Sequence, residues 1–352
     1  MRSIPFLIIS LAVGAAAFAG AMCLGNDYIF FAGYVVLQYV VLSTAWNILG
    51  GYCGYVNFGS AGFFALGAYS TVAIYQLVGA YEFPHVVPVP VLILLGGVVS
   101  GVIGFGMGYL TLRLRGAFFA IATLALAVVL ETLVVNWDFV GGSRGAYIIR
   151  PENIGPIGSY VRYLMLLMLL LAIGALNVAR LIERSRLGYG FATIRDDELA
   201  AEALGVPTLR LKLIATTISG ALMGMAGAPF PYYIGYLQPS STFGLDYAVN
   251  SIAMPLIGGT TSWVGPLIGT ILLGSLQQII TVTISSAANL LLVGGLLVFF
   301  VVVAPNGILG LFHKYLQRKP DDFVGRRRVD LEVPAAAAAP SPATDAAPGS
   351  PP

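Results

Sequence analysis

The sequence predicts an all-α membrane protein, a polytopic bundle of about ten transmembrane helices with one short helix in a cytoplasmic loop. Three observations predict it. Of 352 residues, 58% are hydrophobic and 10% charged, and the mean hydropathy is +0.87, far outside the range of a soluble domain. Apolar runs close to the ~20 residues that cross a bilayer recur as far as Ala304. Glycine is abundant, at 43 residues, as suits helices that approach closely in lipid.

The first run, 4–24, follows Arg2 and contains Ala17 and Ala19, so it resembles a signal peptide. Its length of ~20 residues suits a spanning helix better than the ~7–15 of a signal core. Further spans are expected at 28–50, 61–80, 87–114, 116–137, 160–182, 211–233, 245–258, 266–283 and 287–304. The eighth, 245–258, is short for a bilayer and is expected to be tilted or to cross in part. With the N-terminus inside, fifteen of the 18 Lys and Arg residues are cytoplasmic; Arg144, Arg150 and Arg162 are outside. That asymmetry obeys the positive-inside rule and puts both termini in the cytoplasm.

The same topology places the one long polar interlude, 183–212, inside. There Asp196 or Asp197 can cap a helix over 198–204. Gly205 supplies a left-handed stop and Pro207 prevents resumption. Ala200, Ala203 and Leu204 form a small-residue face, and Glu198 and Glu202 face away together. Two turns cannot persist alone, so the helix is expected to dock into a partner. A solvated linker is the competing reading.

Residues 50–62, GGYCGYVNFGSAG, carry no charge and many glycines. Irregular backbone in lipid needs protein or a water-filled path around it. Asn57 and Ser60 are therefore candidates to line a polar pathway; a hairpin whose glycines only permit close packing is the alternative. Glu131, inside the fifth span, is costly in lipid and needs a partner or water. It either shapes an outer vestibule with Asn136 or reaches the headgroups or Arg144. The outer loop 138–159 holds VGGSRG, and 257–266 forms a second glycine-rich hairpin, IGGTTSWVGP. That hairpin has no lysine and no phosphate-loop spacing, so nucleotide binding by this chain is not expected. Cys23 and Cys53 read as packing residues, and His85 and His313 are too far apart in sequence to suggest a shared site. No metal or other cofactor is expected. After a basic stretch, 334–352 is almost wholly Ala, Pro and Ser and reads as disordered.

Several of these stretches resemble one family. SRLGYGFATIRDDELAAEALGV, NFGSAGFFALGAY, RLRGAFFAIATLA, VGGSRG and the second hairpin are similar, in order, to LivM-type permeases of branched-chain amino acid importers. AAEALGVPTLRLK also looks like the cytoplasmic loop of ATP-driven importer permeases, whose short helix inserts into a groove on the ATPase. The resemblance puts Glu202, Ala203 and Gly205 on the loop's core, with Ala201 beside them. Arg195, Asp196, Asp197 and Glu198 lead into it. Two departures are visible: Ser60 stands where the family often has histidine, and Thr261 replaces a glycine of the hairpin.

The resemblance implies a permease subunit of an ABC importer in a bacterial inner membrane, moving branched-chain or other small amino acids. It implies a second LivH-like permease, two cytoplasmic ATP-binding subunits and an extracytoplasmic binding protein, with membrane lipid around the bundle. No nucleic-acid partner is expected. Residues 1–312 would form the permease domain and 313–352 a cytoplasmic tail. Urea or short amides are the alternative cargo. A stand-alone channel or secondary transporter is a further rival, but Glu131 is the one clear buried ionisable candidate for ion coupling. A membrane enzyme would need clustered nucleophiles, acids or metal ligands, and the sequence offers none.

Overall fold

A computed structural model describes residues 3–80, 87–111, 114–149, 153–154, 158–284, 286–303 and 307–311. Arg2, His85, Arg113, Arg150 and the expected tail 313–352 lie outside the described residues.

The apolar runs are helices: α1 (Ser3–Leu24), α2 (Asp27–Asn47), α3 (Ser60–Ala80), α4 (Val89–Thr111), α5 (Ala117–Val135) and α6 (Tyr160–Glu183). The polar interlude forms α7 (Arg186–Asp196) and α8 (Glu198–Ala203). Then come α9 (Thr208–Gly227), α10 (Phe230–Ile234), α11 (Pro239–Thr242), α12 (Leu245–Gly258), α13 (Val264–Thr283) and α14 (Ser286–Val303). Among the described residues, eight helices are long and apolar enough to span a membrane. The other two expected spans are α12 and α14. At 14 residues, α12 is about 21 Å long, short of the ~30 Å hydrocarbon layer.

Several connections between the described helices gather in two groups. At one end Arg162 pairs with Asp27 at 3.0 Å. There β1 (Ala146–Tyr147) of the 138–159 loop pairs antiparallel with β4 (Tyr236–Leu237), which follows α10. Within that loop β2 (Asn153–Ile154) and β3 (Gly158–Ser159) also pair. The opposite end collects residues 48–60, Arg115, α7, α8 and the 259–265 hairpin.

The bundle closes on small residues. A Cβ on Gly67 of α3 would lie 1.9 Å from the Gly224 carbonyl oxygen of α9, so these backbones touch. Gly265 lies under the Gly259 carbonyl in the same way. Without a hydrophobic drive between helices in lipid, this close packing is what holds them together. An aromatic cluster fills the interior: Tyr34 stacks on Tyr233 at 4.3 Å, and Phe64 on Tyr247 at 4.5 Å.

Several boundaries differ from expectation. The second span stops as an α-helix at Asn47 and continues as a π-helical turn, Ile48–Tyr52. The fourth is described as helix as far as Thr111, and Leu114 lies outside it. The seventh begins at Thr208 rather than 211, because the turn after Gly205 restarts the helix at once. The interlude holds two helices rather than one. In α7, Ser185 caps the start by accepting the Leu187 N–H at 3.1 Å, and Phe191 and Ile194 are buried.

Candidate coupling site

The site is built on α8 and what holds it. Asp197 is the N-cap: its side chain accepts the Ala200 N–H at 3.0 Å. Gly205, at φ +82°, ends the helix as the sequence anticipates. Ala201 is buried against the bundle. Ala200 and Ala203 are exposed, flanked by Leu199 and Leu204, 64% and 84% exposed. The small-residue face is therefore the outer one.

The two acids turn away from that face and are held by the chain itself, Glu198 deeply and Glu202 at the exposed edge. Glu198 Oε1 sits 2.6 Å from the Lys212 ammonium of α9, whose side chain is 3% exposed. Glu198 Oε2 accepts the Tyr55 hydroxyl, and Lys212 also donates to Tyr55 at 3.3 Å. Glu202 accepts from Arg115 at 3.0 Å and from Thr208 at 2.8 Å. Arg115 adds a contact to Glu198 at 3.6 Å. Burial alone would raise the Glu198 carboxyl, but hydrogen bonds from Lys212 and Tyr55, with the charges of Lys212 and Arg115, hold it below its usual value. Burial, then hydrogen bonding to Glu198, pushes the Tyr55 hydroxyl up.

Arg195, at the end of α7, donates to the Gly51 carbonyl at 3.4 Å and pairs with exposed Asp196 at 3.4 Å. Its Cα lies 3.2 Å from where a Gly54 Cβ would stand, and Gly54 has φ +80°, so glycine serves both the turn and the approach. The α7–α8 segment thus sits directly on the break between α2 and α3.

That break leads inward. Tyr55 N–H closes the π turn on the Leu49 carbonyl at 3.1 Å. The Trp46 indole donates to the Asn57 carbonyl at 2.9 Å, and the Asn57 side chain accepts the Gly59 N–H at 2.8 Å. The Asn57 amide nitrogen is buried without a partner among the described residues. Ser60 shares a 2.9 Å hydrogen bond with Ser251 of α12. The six residues from Tyr55 to Ser60 thus join Asn57 and Ser60 to α8. Glu131 stands apart, half-buried near the opposite end of α5. It makes no ion pair among the described residues.

Sequence reading missed Lys212, Tyr55, Arg115 and Thr208. Lys212 had a signal: a cation at the start of an apolar span needs a partner. Tyr55 had none beyond its glycine-rich surroundings. Among the described residues there is no cluster of metal-ligating side chains.

The family description "Branched-chain amino acid transport system / permease component" matches residues 28–302. The chain belongs to this permease family. It is 28% identical over 318 residues to the high-affinity branched-chain amino acid transport system permease protein LivM of Salmonella typhimurium, covering 83% of this chain and 72% of that one. Against the Escherichia coli K12 LivM it is 28% identical over 310 residues, 81% and 71% of the two chains. A probable LivH of Methanocaldococcus jannaschii is 23% identical over 279 residues, 74% of this permease and 85% of that protein. No solved structure matches. The relatives are transport permease subunits and not enzymes, and with the long apolar helices they make the permease a multi-pass membrane protein.

Proposed function

We propose that this chain is the LivM-like permease subunit of an ABC importer that carries branched-chain amino acids across a bacterial inner membrane. It works with a second, LivH-like permease, two cytoplasmic ATP-binding subunits and an extracytoplasmic binding protein. Both termini are cytoplasmic, residues 1–312 form the permease and 183–212 is the loop that meets the ATPase.

One observation carries the docking reading. Outside the membrane spans, α8 presents Leu199 and Leu204 to solvent beside Ala200 and Ala203, while its acids are engaged by its own chain. Exposed leucines on a helix this short leave an apolar face that asks for a covering surface. Closure of the ATPases on ATP would shift that helix, and its attachments would carry the shift into the bundle.

Gentle affinity purification of the tagged chain from native membranes tests the reading. An ATP-binding subunit and a second permease are expected to co-purify, and Leu199→Asp with Leu204→Asp should lose the ATPase while the second permease stays. Recovery of the wild-type chain alone as a folded oligomer would sink it and favour a channel or secondary transporter.

A further inference from the structure

The outer face of α8 explains docking, but its inner face is more elaborate than docking needs. We propose that Tyr55, Glu198 and Lys212 form the latch through which α8 moves the break between α2 and α3. Tyr55 and Lys212 are then positioning residues for coupling. The inference rests on the ATPase-docking reading.

A six-residue helix has no mechanical coherence of its own. Its movement reaches the bundle only through what it is fastened to. On its acidic side α8 is fastened to Arg115 in the α4–α5 connection, to Thr208 and Lys212 on α9, and to Tyr55 in the break. Arg115 is half-exposed, whereas Lys212 is 3% exposed. An exposed pair holds little. A buried pair loses much of its attraction to desolvation, and its best-attested use is to fix a register. The deep pair therefore sets where α8 sits relative to α9, and the shared tyrosine extends that setting to the break.

Tyr55 is well placed to pass it on. Its ring packs edge-on against Phe119 of α5 at 5.1 Å. Two residues later Asn57 is held by Trp46, and three residues beyond that Ser60 is bonded to Ser251 of α12. A π-helical turn precedes the segment, a common mark of functional irregularity in a helix. Cys53 is a native reporter here: it is fully buried and two residues from Tyr55.

The test uses the complete importer in proteoliposomes, with exposed Cys23 changed to Ser. Two quantities are read: substrate taken up per ATP hydrolysed, and maleimide labelling of Cys53 with and without ATP. Wild type should show labelling that depends on nucleotide. Tyr55→Phe removes one hydroxyl. It should keep the ATPase bound and hydrolysing, lower uptake per ATP by roughly tenfold, and make Cys53 labelling insensitive to nucleotide. Lys212→Met should do the same, and Lys212→Arg should recover part of the ratio. Unchanged uptake per ATP in Tyr55→Phe overturns the latch. So does a parallel fall of hydrolysis, uptake and protein level, which a merely structural role would give. A wild-type chain that recruits no ATPase overturns the docking reading, and the latch with it.

Discussion

The Glu183 carboxylate accepts the backbone N–H of Trp263 at 2.8 Å and the Tyr52 hydroxyl at 3.3 Å. One side chain at the end of α6 thereby joins the π turn to the second glycine-rich hairpin, at the same end as α7 and α8. Glu183→Ala leaves that N–H and the tyrosine without their acceptor. Hydrogen bonds to a charged group contribute about 1.5–3 kcal/mol. A loss of that size should appear as a lower melting temperature in detergent, and Glu183→Gln should lose less. An unchanged melting temperature for the alanine variant would mean the hairpin is held by other contacts.

Glu202→Arg places a cation against Arg115 and strips Thr208 of its acceptor. The expected outcome is loss of uptake with the protein still present in the membrane. Uptake assays beside an immunoblot of the membrane fraction check it. The effect acts through the helix's own attachments: once Arg115 and Thr208 no longer hold Glu202, α8 is displaced.

Gly67→Ala forces a methyl group to within 1.9 Å of the Gly224 carbonyl oxygen. No flexible side chain can yield there, so α3 and α9 must part. Overpacking of this kind costs about 1–3 kcal/mol. A lower yield of monodisperse protein in detergent is expected, whereas Gly79→Ala, which meets nothing within 4 Å, should be neutral.

Burial pushes the Cys53 thiol up to about 12, with the nearby Lys212 charge pulling the other way and Glu198 reinforcing the rise. An ordinary thiol ionises near 8.5. The unfolded chain therefore releases this proton first as pH rises. Cys53 contributes stability below the unfolded value, and that contribution is lost through the window up to about 12. Thiol alkylation of the isolated permease at pH 9, with no ATPase or nucleotide present, should be slow at Cys53 and become fast on denaturation.

Glu198 has the opposite sign. Its folded value is depressed, so its contribution is present above the unfolded carboxyl value, about 4.3. It is lost as pH falls through the folded value. Acidification should release α8 before the bundle melts, seen as protease cleavage within 197–207 ahead of loss of helical circular dichroism. Simultaneous loss of both would show that the latch and the bundle fail together.

Much of this molecule is legible along the chain because the physics is local. Apolar runs of bilayer length state their own fate, whatever they pack against. Asp197 caps and Gly205 stops α8 through atoms within a few residues. The division of α8 into a small face and an acidic face is a matter of helical period alone. Helix α7 escaped notice because Gly188 and Gly190 weaken its pattern. Those glycines are there for tertiary reasons: a Cβ on Gly188 would lie 2.3 Å from the Ile182 carbonyl, and one on Gly190 would lie 2.7 Å from Leu211.

The sequence by itself determined the membrane class, the order of the spans and the position of the short helix. Only the tertiary structure decided which face of that helix looks outward and what grips the other. Glu198 meets Tyr55 across 143 residues of chain, and Tyr55 meets Lys212 across 157. No periodicity encodes such meetings. They exist because glycine contacts bring α3, α4 and α9 close together, and because a charge buried at that junction must find its partner there.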